Sequence, residues 1–190
     1  MLNIVLFGAP GCGKGTQASL LKEKYGIDHV STGEVIRDQI ARGTQLGKEM
    51  ESYTSQGKLA PDQIVIDMID HYVTEHQHAK GNIFDGFPRT IHQAEEFDRL
   101  LTARGLKIDK MIYLDVPEEE LVKRILLRSK ESGRADDASE EVIRKRIEVY
   151  REQTAVVAKF YAAQGKYAEV NGLGQIDEVF GRICQIIDSI

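Results

Sequence analysis

The sequence predicts an α/β fold built on a five-stranded parallel sheet with helices on both faces. Short apolar runs alternate along the chain with longer segments in which apolar residues recur every three or four positions, the spacing of an amphipathic helix. A glycine-rich segment directly follows the first apolar run. Regular alternation of strands and helices is typical of a parallel sheet, because each crossover helix covers one of its faces.

The predicted strands are five apolar runs, each four to six residues long: Leu2–Phe7, Ile27–Val30, Asn82–Asp85, Met111–Val116 and Tyr167–Val170. The segments between them are predicted amphipathic helices. Their clearest apolar stripes are Ile64, Met68, Ile69 and Tyr72 in one helix and Ile143, Ile147 and Tyr150 in another.

Residues that favour helix ends support these boundaries. Ser31 followed three residues later by Glu34 fits a capping box. Pro117 precedes three glutamates, a pattern typical of a first helical turn. Gly165 follows a predicted helix, where glycine commonly ends the helical conformation.

Length and composition indicate one globular unit. The 190 residues suffice for one hydrophobic core but are few for two, so residues 1–190 are a predicted single domain. A net charge of -5 argues against broad binding to nucleic acid or to an anionic membrane, so any anion site must be local. We expect a monomer by default.

The two cysteines, Cys12 and Cys184, are too few and too far apart for a disulfide framework. They fit a reduced compartment. The N-terminal residues form a predicted strand that runs straight into the glycine-rich segment, with no basic leader. We therefore expect a cytoplasmic protein.

Two stretches depart from the alternation of strands and helices. Residues 31–60 include two short predicted helices, between Gly33 and Ala60, with no strand between them. Residues 129–138 are polar and contain a glycine. Both stretches are candidate mobile flaps over the sheet.

The glycine-rich segment matches the first seven positions of the P-loop pattern, in the required place between a strand and a helix. It reads Gly8-Ala9-Pro10-Gly11-Cys12-Gly13-Lys14. Glycines let successive backbone amides point at phosphate oxygens, and the lysine reaches the terminal phosphates. The alternative is a glycine-rich turn with an incidental lysine. Cys12 fills a variable position, and phosphoryl transfer needs no thiol.

The magnesium end of this loop departs from the pattern. The position that usually carries a serine or threonine hydroxyl holds Gly15, and Thr16 follows one place later. Asp85 ends a predicted strand at the carboxyl edge of the sheet, where a carboxylate can hold the water ligands of Mg²⁺. Thr16 and Asp85 are the candidate metal residues; Asp85 capping a helix is the alternative.

Four motifs in this order resemble the adenylate kinases, a family of nucleoside monophosphate kinases, over the whole chain. They are Gly8 to Thr16, Ser31-Thr32-Gly33, Asp85-Gly86-Phe87-Pro88-Arg89-Thr90 and Gly133-Arg134-Ala135-Asp136-Asp137. The resemblance implies a P-loop NTPase-type three-layer sandwich with a monophosphate-binding flap (31–60) and a short lid (129–138). The lid contains no cysteine, so it implies the short-lid form without structural zinc.

The resemblance also implies an activity and its residues. The activity is reversible transfer of a phosphoryl group from Mg-ATP to AMP, which gives two ADP and serves nucleotide biosynthesis. The implied ATP-binding residues are Gly11, Cys12, Gly13, Lys14, Gly15, Thr16, Arg124, Arg128 and Gly174. The implied AMP-binding residues are Thr32, Arg37, Lys58, Leu59, Ala60, Gly86, Phe87, Pro88, Arg89, Gln93, Arg134 and Arg146. The implied catalytic residues are Lys14, Arg89, Arg128, Arg134 and Arg146.

The residues themselves leave some of these roles open. The Gln93 amide offers the donor and acceptor that adenine needs, but it also fits a solvated helix position. Thr32 also fits a helix cap. Arg124 and Arg128 lie one helical turn apart, where like charges repel. Either an anion lies between them, or Arg124 pairs with Glu120 and Arg128 with Glu131.

Three further arginines differ in whether acidic residues lie near them in the sequence. Arg146 has no acidic neighbour at helical spacing, so it must find an anion elsewhere. Arg144 stands between Glu140 and Glu148, which predicts a solvated ion pair and no role in the site. Arg134 lies beside two aspartates, so a simple loop ion pair is its alternative.

Two other functions remain open at the level of sequence. UMP/CMP kinases look similar, although they typically carry asparagine where this chain has Thr90. A P-loop protein that binds a nucleotide without phosphorylating a second one is the other alternative. The arginines that the resemblance places around a second anion argue against such a binding protein.

Overall fold

The computed structural model describes residues 1–76, 79–132, 137 and 139–190. Its five strands form one parallel sheet in the order β2-β3-β1-β4-β5. They are β1 (Leu2–Phe7), β2 (Asp28–Ser31), β3 (Gly81–Asp85), β4 (Lys110–Asp115) and β5 (Tyr167–Asn171). The predicted strands are confirmed, with ends shifted by at most one residue.

Helices connect all the strands. They are α1 (Lys14–Tyr25), α2 (Thr32–Ala41), α3 (Gln45–Thr54), α4 (Asp62–Glu75), α5 (Ile91–Thr102), α6 (Glu118–Ser132), α7 (Glu140–Val149), α8 (Val156–Ala163) and α9 (Ile176–Ile187). A π-helical turn, Tyr150–Thr154, joins α7 to α8.

The sheet is flanked by two groups of helices. Helices α1 and α9 contact each other, and α5 contacts both α4 and α8. The central strands β1 and β3 are buried along almost their whole length, as the continuous apolar runs predict for a sheet covered on both faces. The predicted α/β fold is confirmed.

Aromatic packing holds the end of β3. The Phe97 ring lies 4.7 Å from the Phe84 ring and 5.0 Å from the Phe87 ring, centroid to centroid, in edge-on geometry. All three side chains are buried. Because Phe84 belongs to β3 and Phe87 to the turn after it, this packing fixes where that turn lies relative to the sheet.

The buried face of α4 differs from the predicted stripe. Val65, Ile66, Ile69 and Val73 are buried, whereas Ile64, Met68 and Tyr72 are only partly covered. Residues 64–66 are all apolar, so periodicity alone cannot choose between adjacent faces. Packing against the core determines which of these faces is buried.

The helix ends follow the expected residues. The Ser31 hydroxyl accepts a hydrogen bond from the Glu34 amide at the start of α2, and α6 begins directly after Pro117. Gly165, after α8, has a φ of 69°. This left-handed conformation favours glycine.

The two stretches outside the regular alternation have distinct structures. Residues 31–60 hold α2 and α3, which pack so closely at Gly47 that a Cβ there would lie 2.1 Å from the Gln39 carbonyl oxygen. In 129–138, residues 129–132 form the end of α6, and Asp137 is buried. Residues 133–136 and 138, with Arg134 among them, lie outside the described residues. Within the described ranges, no helix is long and apolar enough to cross a membrane.

Candidate active site

A cavity of about 1030 Å³ opens where the loops after β1, β3 and β5 meet. It is lined by every candidate site residue that the structure describes. These are Gly11, Cys12, Gly13, Lys14, Gly15, Thr16, Thr32, Arg37, Lys58, Leu59, Ala60, Asp85, Gly86, Phe87, Pro88, Arg89, Gln93, Arg124, Arg128, Arg146 and Gly174. Residues distant in sequence thus share one cleft. Arg134 is outside the described residues.

The phosphate loop joins β1 to α1 and is tightly packed. At Gly8, with a φ of 145°, a Cβ would lie 2.8 Å from the Leu114 carbonyl oxygen, so only glycine fits there. The Lys14 Nζ donates hydrogen bonds to the Gly8 carbonyl at 2.7 Å and the Ala9 carbonyl at 3.1 Å. The Lys14 side chain is therefore held against the backbone of its own loop, and it lines the cavity.

Cys12 packs inside this loop. Its side chain is buried, and its Sγ lies 3.5 Å from the Lys14 Nζ. A small apolar side chain suits this position. No chemistry needs the thiol.

Asp85, at the end of β3, lies beside the phosphate loop. Its Oδ2 would lie 3.8 Å from a Cβ placed on Gly15. Burial by itself raises the pKa of this carboxyl, but contact with His29 and the charges of Lys14 and Arg89 outweigh burial and lower the pKa. Asp85 is therefore an ionised carboxylate among cations. It caps no helix, so that alternative is wrong.

The turn after β3 is built around the Gly86 carbonyl. This oxygen accepts hydrogen bonds from the Thr32 hydroxyl at 3.0 Å and from the Arg89 Nε at 2.7 Å. Thr32 does not cap α2, because Ser31 does. The two hydrogen bonds tie the start of α2 to the turn and orient both side chains at the cavity wall.

Gln93, in the first turn of α5, is 1% exposed. This burial excludes a solvated helix position. Its Oε1 accepts a hydrogen bond from the Arg89 amide at 2.7 Å, and its Nε2 donates to Asp62 at 2.8 Å. The side chain is thus held rigidly at the cavity, with one acceptor and one donor position of the amide used by the protein.

The arginines on α6 and α7 find carboxylates. Arg128 makes two hydrogen bonds to Asp137, at 2.8 and 2.9 Å, and Arg146 contacts the same carboxylate. Arg124 donates to Glu120 at 2.8 Å and, at 3.3 Å, to the Gly172 carbonyl. Arg124 and Arg128 thus have separate carboxylate partners.

Arg124 thus makes the ion pair that its spacing from Glu120 on the same helix allows. For Arg128 the observed partner is Asp137; the side chain of Glu131 lies outside the described part of the chain. Arg144 pairs with Glu140, at 2.7 Å, and with Glu118, at 3.7 Å, as predicted for a residue outside the site.

Several cavity residues carry no signal in the sequence. Buried Gln17 donates from Nε2 to the Ile176 carbonyl at 3.1 Å, which links the phosphate loop helix to the start of α9. Ile176 and Val179 add apolar surface near Gly174. In the sequence, these residues look like ordinary positions of amphipathic helices, and only the fold brings them to the cavity.

A parallel α/β sheet with a phosphate loop after its first strand, and a second arginine-bearing turn in the same cleft, defines a nucleotide-binding protein of the P-loop class. Comparison with known proteins narrows the class. The family model described as adenylate kinase matches residues 6–166. The chain belongs to the adenylate kinase family, and it is a phosphotransferase of the nucleoside monophosphate kinase type.

Relatives match along the full chain. An adenylate kinase from Bacteroides fragilis is 51% identical over 190 residues, 100% of both chains. One from Bacteroides thetaiotaomicron is 50% identical over the same length. One from Stenotrophomonas maltophilia is 48% identical over 186 residues, 98% of this chain and 99% of the relative.

Proposed function

We propose that the chain transfers the terminal phosphoryl group of Mg-ATP to AMP, reversibly, to give two ADP. The observation that carries this proposal is the position of Asp85 in the cavity. Lys14 of the phosphate loop and Arg89 of the turn after β3 both act electrostatically on its carboxylate. Lys14, Asp85 and Arg89 also line one cavity, in which a donor and an acceptor phosphate can meet.

The ATP end of the cleft is the phosphate loop and the apolar surface beyond it. The backbone amides from Gly11 to Thr16 cradle the phosphates at the N-terminus of α1, and Lys14 reaches the terminal ones. Arg124 and the Gly174 backbone lie against the adenine of ATP. Ile176 and Val179, which line the same cavity, supply apolar contact for the base.

The AMP end lies between residues 31–60 and the turn after β3. Its phosphate is bound by Arg37, Arg89, Arg134 and Arg146. Its base lies against Gln93 and the Lys58-Leu59-Ala60 backbone, and Thr32, Gly86, Phe87 and Pro88 form the wall. Support comes from the shared cavity and from the hydrogen bonds that already orient Thr32, Arg89 and Gln93.

The chemical obstacle is repulsion between two polyanions. The attacking phosphate oxygen is already anionic, so the reaction needs no general base. Two unit charges ~4 Å apart repel by about 4 kcal/mol at an effective dielectric near 20. Seven cations offset this repulsion and orient the phosphates in line. They are Lys14, Arg37, Arg89, Arg124, Arg128, Arg134 and Arg146.

Asp85 and Thr16 fit the magnesium that accompanies ATP. Mg²⁺ usually binds to substrate phosphates and one or two carboxylates, with water completing its shell. Asp85 is an ionised oxygen ligand beside the loop, and Thr16 lies exposed on the cavity wall. Among the described residues no cluster of three or more His, Cys, Asp or Glu could hold a metal alone. The bound ion would neutralise charge on the transferred phosphoryl group.

Residues 31–60 and 129–138 are proposed to close over the nucleotides as flap and lid of a single domain, 1–190. Closure excludes water, which would otherwise accept the phosphoryl group. The two-helix structure of α2 and α3 supports the first assignment, because they contact each other far more than they contact the rest of the chain.

We also infer a cytoplasmic monomer with small-molecule partners only: ATP, AMP and ADP. Both cysteines are free and buried, as in a reduced compartment. All the described residues that line the cavity belong to one chain, which is consistent with a site formed by a monomer. The expected biological role is nucleotide biosynthesis.

The experiment that tests this function is a coupled assay of ADP formation from ATP with AMP, UMP, CMP or GMP as the acceptor. We expect AMP to give the highest kcat/KM. Fastest turnover with UMP or CMP would support a UMP/CMP kinase, which the comparisons do not favour. A P-loop protein without kinase activity would form no diphosphate with any acceptor, and that result would overturn the proposal.

A further inference from the structure

Asp62, the first residue of α4, connects two parts of the AMP end of the cleft. Its Oδ1 accepts a hydrogen bond from the Gln93 Nε2 at 2.8 Å. Its Oδ2 accepts one from the Thr90 hydroxyl, also at 2.8 Å. The Thr90 hydroxyl in turn accepts a hydrogen bond from the Gln93 amide nitrogen at 3.2 Å and so caps α5. Asp62 is thus held from two sides against one amide side chain.

This contact fixes which way the Gln93 amide points. The Asp62 oxygen accepts the hydrogen bond, so the nitrogen of the Gln93 amide faces Asp62. The Arg89 backbone amide only donates, so the oxygen must face Arg89. A rotated amide would bring two acceptors together at Asp62 and two donors together at Arg89. Because Gln93 is 1% exposed, water cannot relieve either contact.

An amide held in one orientation distinguishes bases by the order of donor and acceptor along the base edge. After these two hydrogen bonds, the Gln93 amide still has one N–H donor and one oxygen lone pair that can bind a base. Adenine presents an exocyclic amine that donates and a ring nitrogen that accepts. A 6-oxopurine presents the reverse order, an oxygen that accepts and a ring N–H that donates. A freely rotating amide would serve both kinds of base, whereas an amide held in one orientation serves only one of them.

We propose that Asp62 is a positioning residue that sets base specificity, because it locks the Gln93 amide in the orientation that accepts a 6-aminopurine and rejects a 6-oxopurine. The inference rests on the proposed function, in which the base of AMP lies against Gln93. Asp62 itself touches no substrate in this account. It acts through Gln93.

The test compares AMP with inosine monophosphate (IMP), which differs from AMP only in this donor and acceptor order. In Asp62→Ala we expect the ratio of kcat/KM for AMP to kcat/KM for IMP to fall about tenfold, because the acceptor that fixes Nε2 is gone. The KM for ATP should not change. Asp62→Asn keeps one oxygen that can accept from Gln93 but adds a donor that tolerates the rotated amide, so it should restore only part of the ratio.

Asp67→Ala is the matched control, since it removes an exposed carboxylate from the same helix. It should leave the ratio unchanged. Should Asp62→Ala fail to fold, Thr90→Val gives the second test, because it removes the hydrogen bond that steadies Asp62; we expect a smaller fall in the same ratio.

The inference is overturned if the ratio in Asp62→Ala, or in Thr90→Val where only that variant folds, equals that of the unmodified chain. Equal losses for AMP and IMP would give Asp62 a purely structural role and would also overturn it. The proposed function fails separately, namely if the unmodified chain phosphorylates neither nucleotide.

Discussion

Replacing Arg89 by alanine is expected to lower kcat/KM for AMP by about 10³-fold, the loss typical of a cation that stabilises phosphoryl transfer. Arg89 lies in the turn after β3, where its Nε donates to the Gly86 carbonyl and its charge acts on Asp85. The Kd for ATP should hardly change, because Arg89 belongs to the turn after β3 and not to the phosphate loop between β1 and α1. Steady-state kinetics and an ATP binding titration measure the two quantities.

Arg144→Ala is the control for this variant. It removes an arginine that pairs with Glu140 and Glu118 outside the cleft, so its kinetics should match those of the unmodified chain. Unchanged turnover in Arg89→Ala would remove Arg89 from the site. An equal loss in both arginine variants would point to a general effect of lost charge.

The second large effect is expected from Lys14→Met, which keeps the length of the side chain but removes its charge. We expect turnover to fall by about 10³-fold and ATP binding to weaken, because Lys14 is the cation of the phosphate loop. Its hydrogen bonds to the Gly8 and Ala9 carbonyls would also be lost, so the thermal midpoint of the variant should be measured beside its kinetics.

Lys22→Met removes an exposed lysine from the same helix and serves as its control. This control should keep full activity. If Lys14→Met retained the turnover of the unmodified chain, the glycine-rich segment would not act as a phosphate loop, and the assignment of the ATP end of the cleft would be wrong.

Much of the fold could be predicted because local patterns and the global fold agree. The apolar runs of β1 and β3 are continuous, as burial on both faces requires, and the phosphate loop lies where β1 gives way to α1. The buried face of α4 cannot be predicted, because Ile64, Val65 and Ile66 offer two faces of similar hydrophobicity. In that helix, contacts between residues far apart in sequence determine which face is buried.

In the site, too, some residues can be predicted from local sequence and others only from the fold. Glycines and a lysine at fixed spacing predict a phosphate loop, since the spacing itself creates the geometry. Asp62 gives no comparable signal, because an acidic residue in a first helical turn is ordinary on dipole grounds alone. Its bonds to Thr90 and Gln93 connect residues 28 and 31 positions apart. The pairing of Arg128 and Arg146 with Asp137 likewise depends on how α6 and α7 pack.

The central claim is that one cleft transfers a phosphoryl group directly between two nucleotides. The most direct test follows the label from ATP carrying ³²P in its terminal phosphate, with AMP present. We expect the label to appear in the β-phosphate of ADP and very little of it to appear as inorganic phosphate. Label released mainly as inorganic phosphate, at a rate that does not depend on AMP, would contradict the central claim.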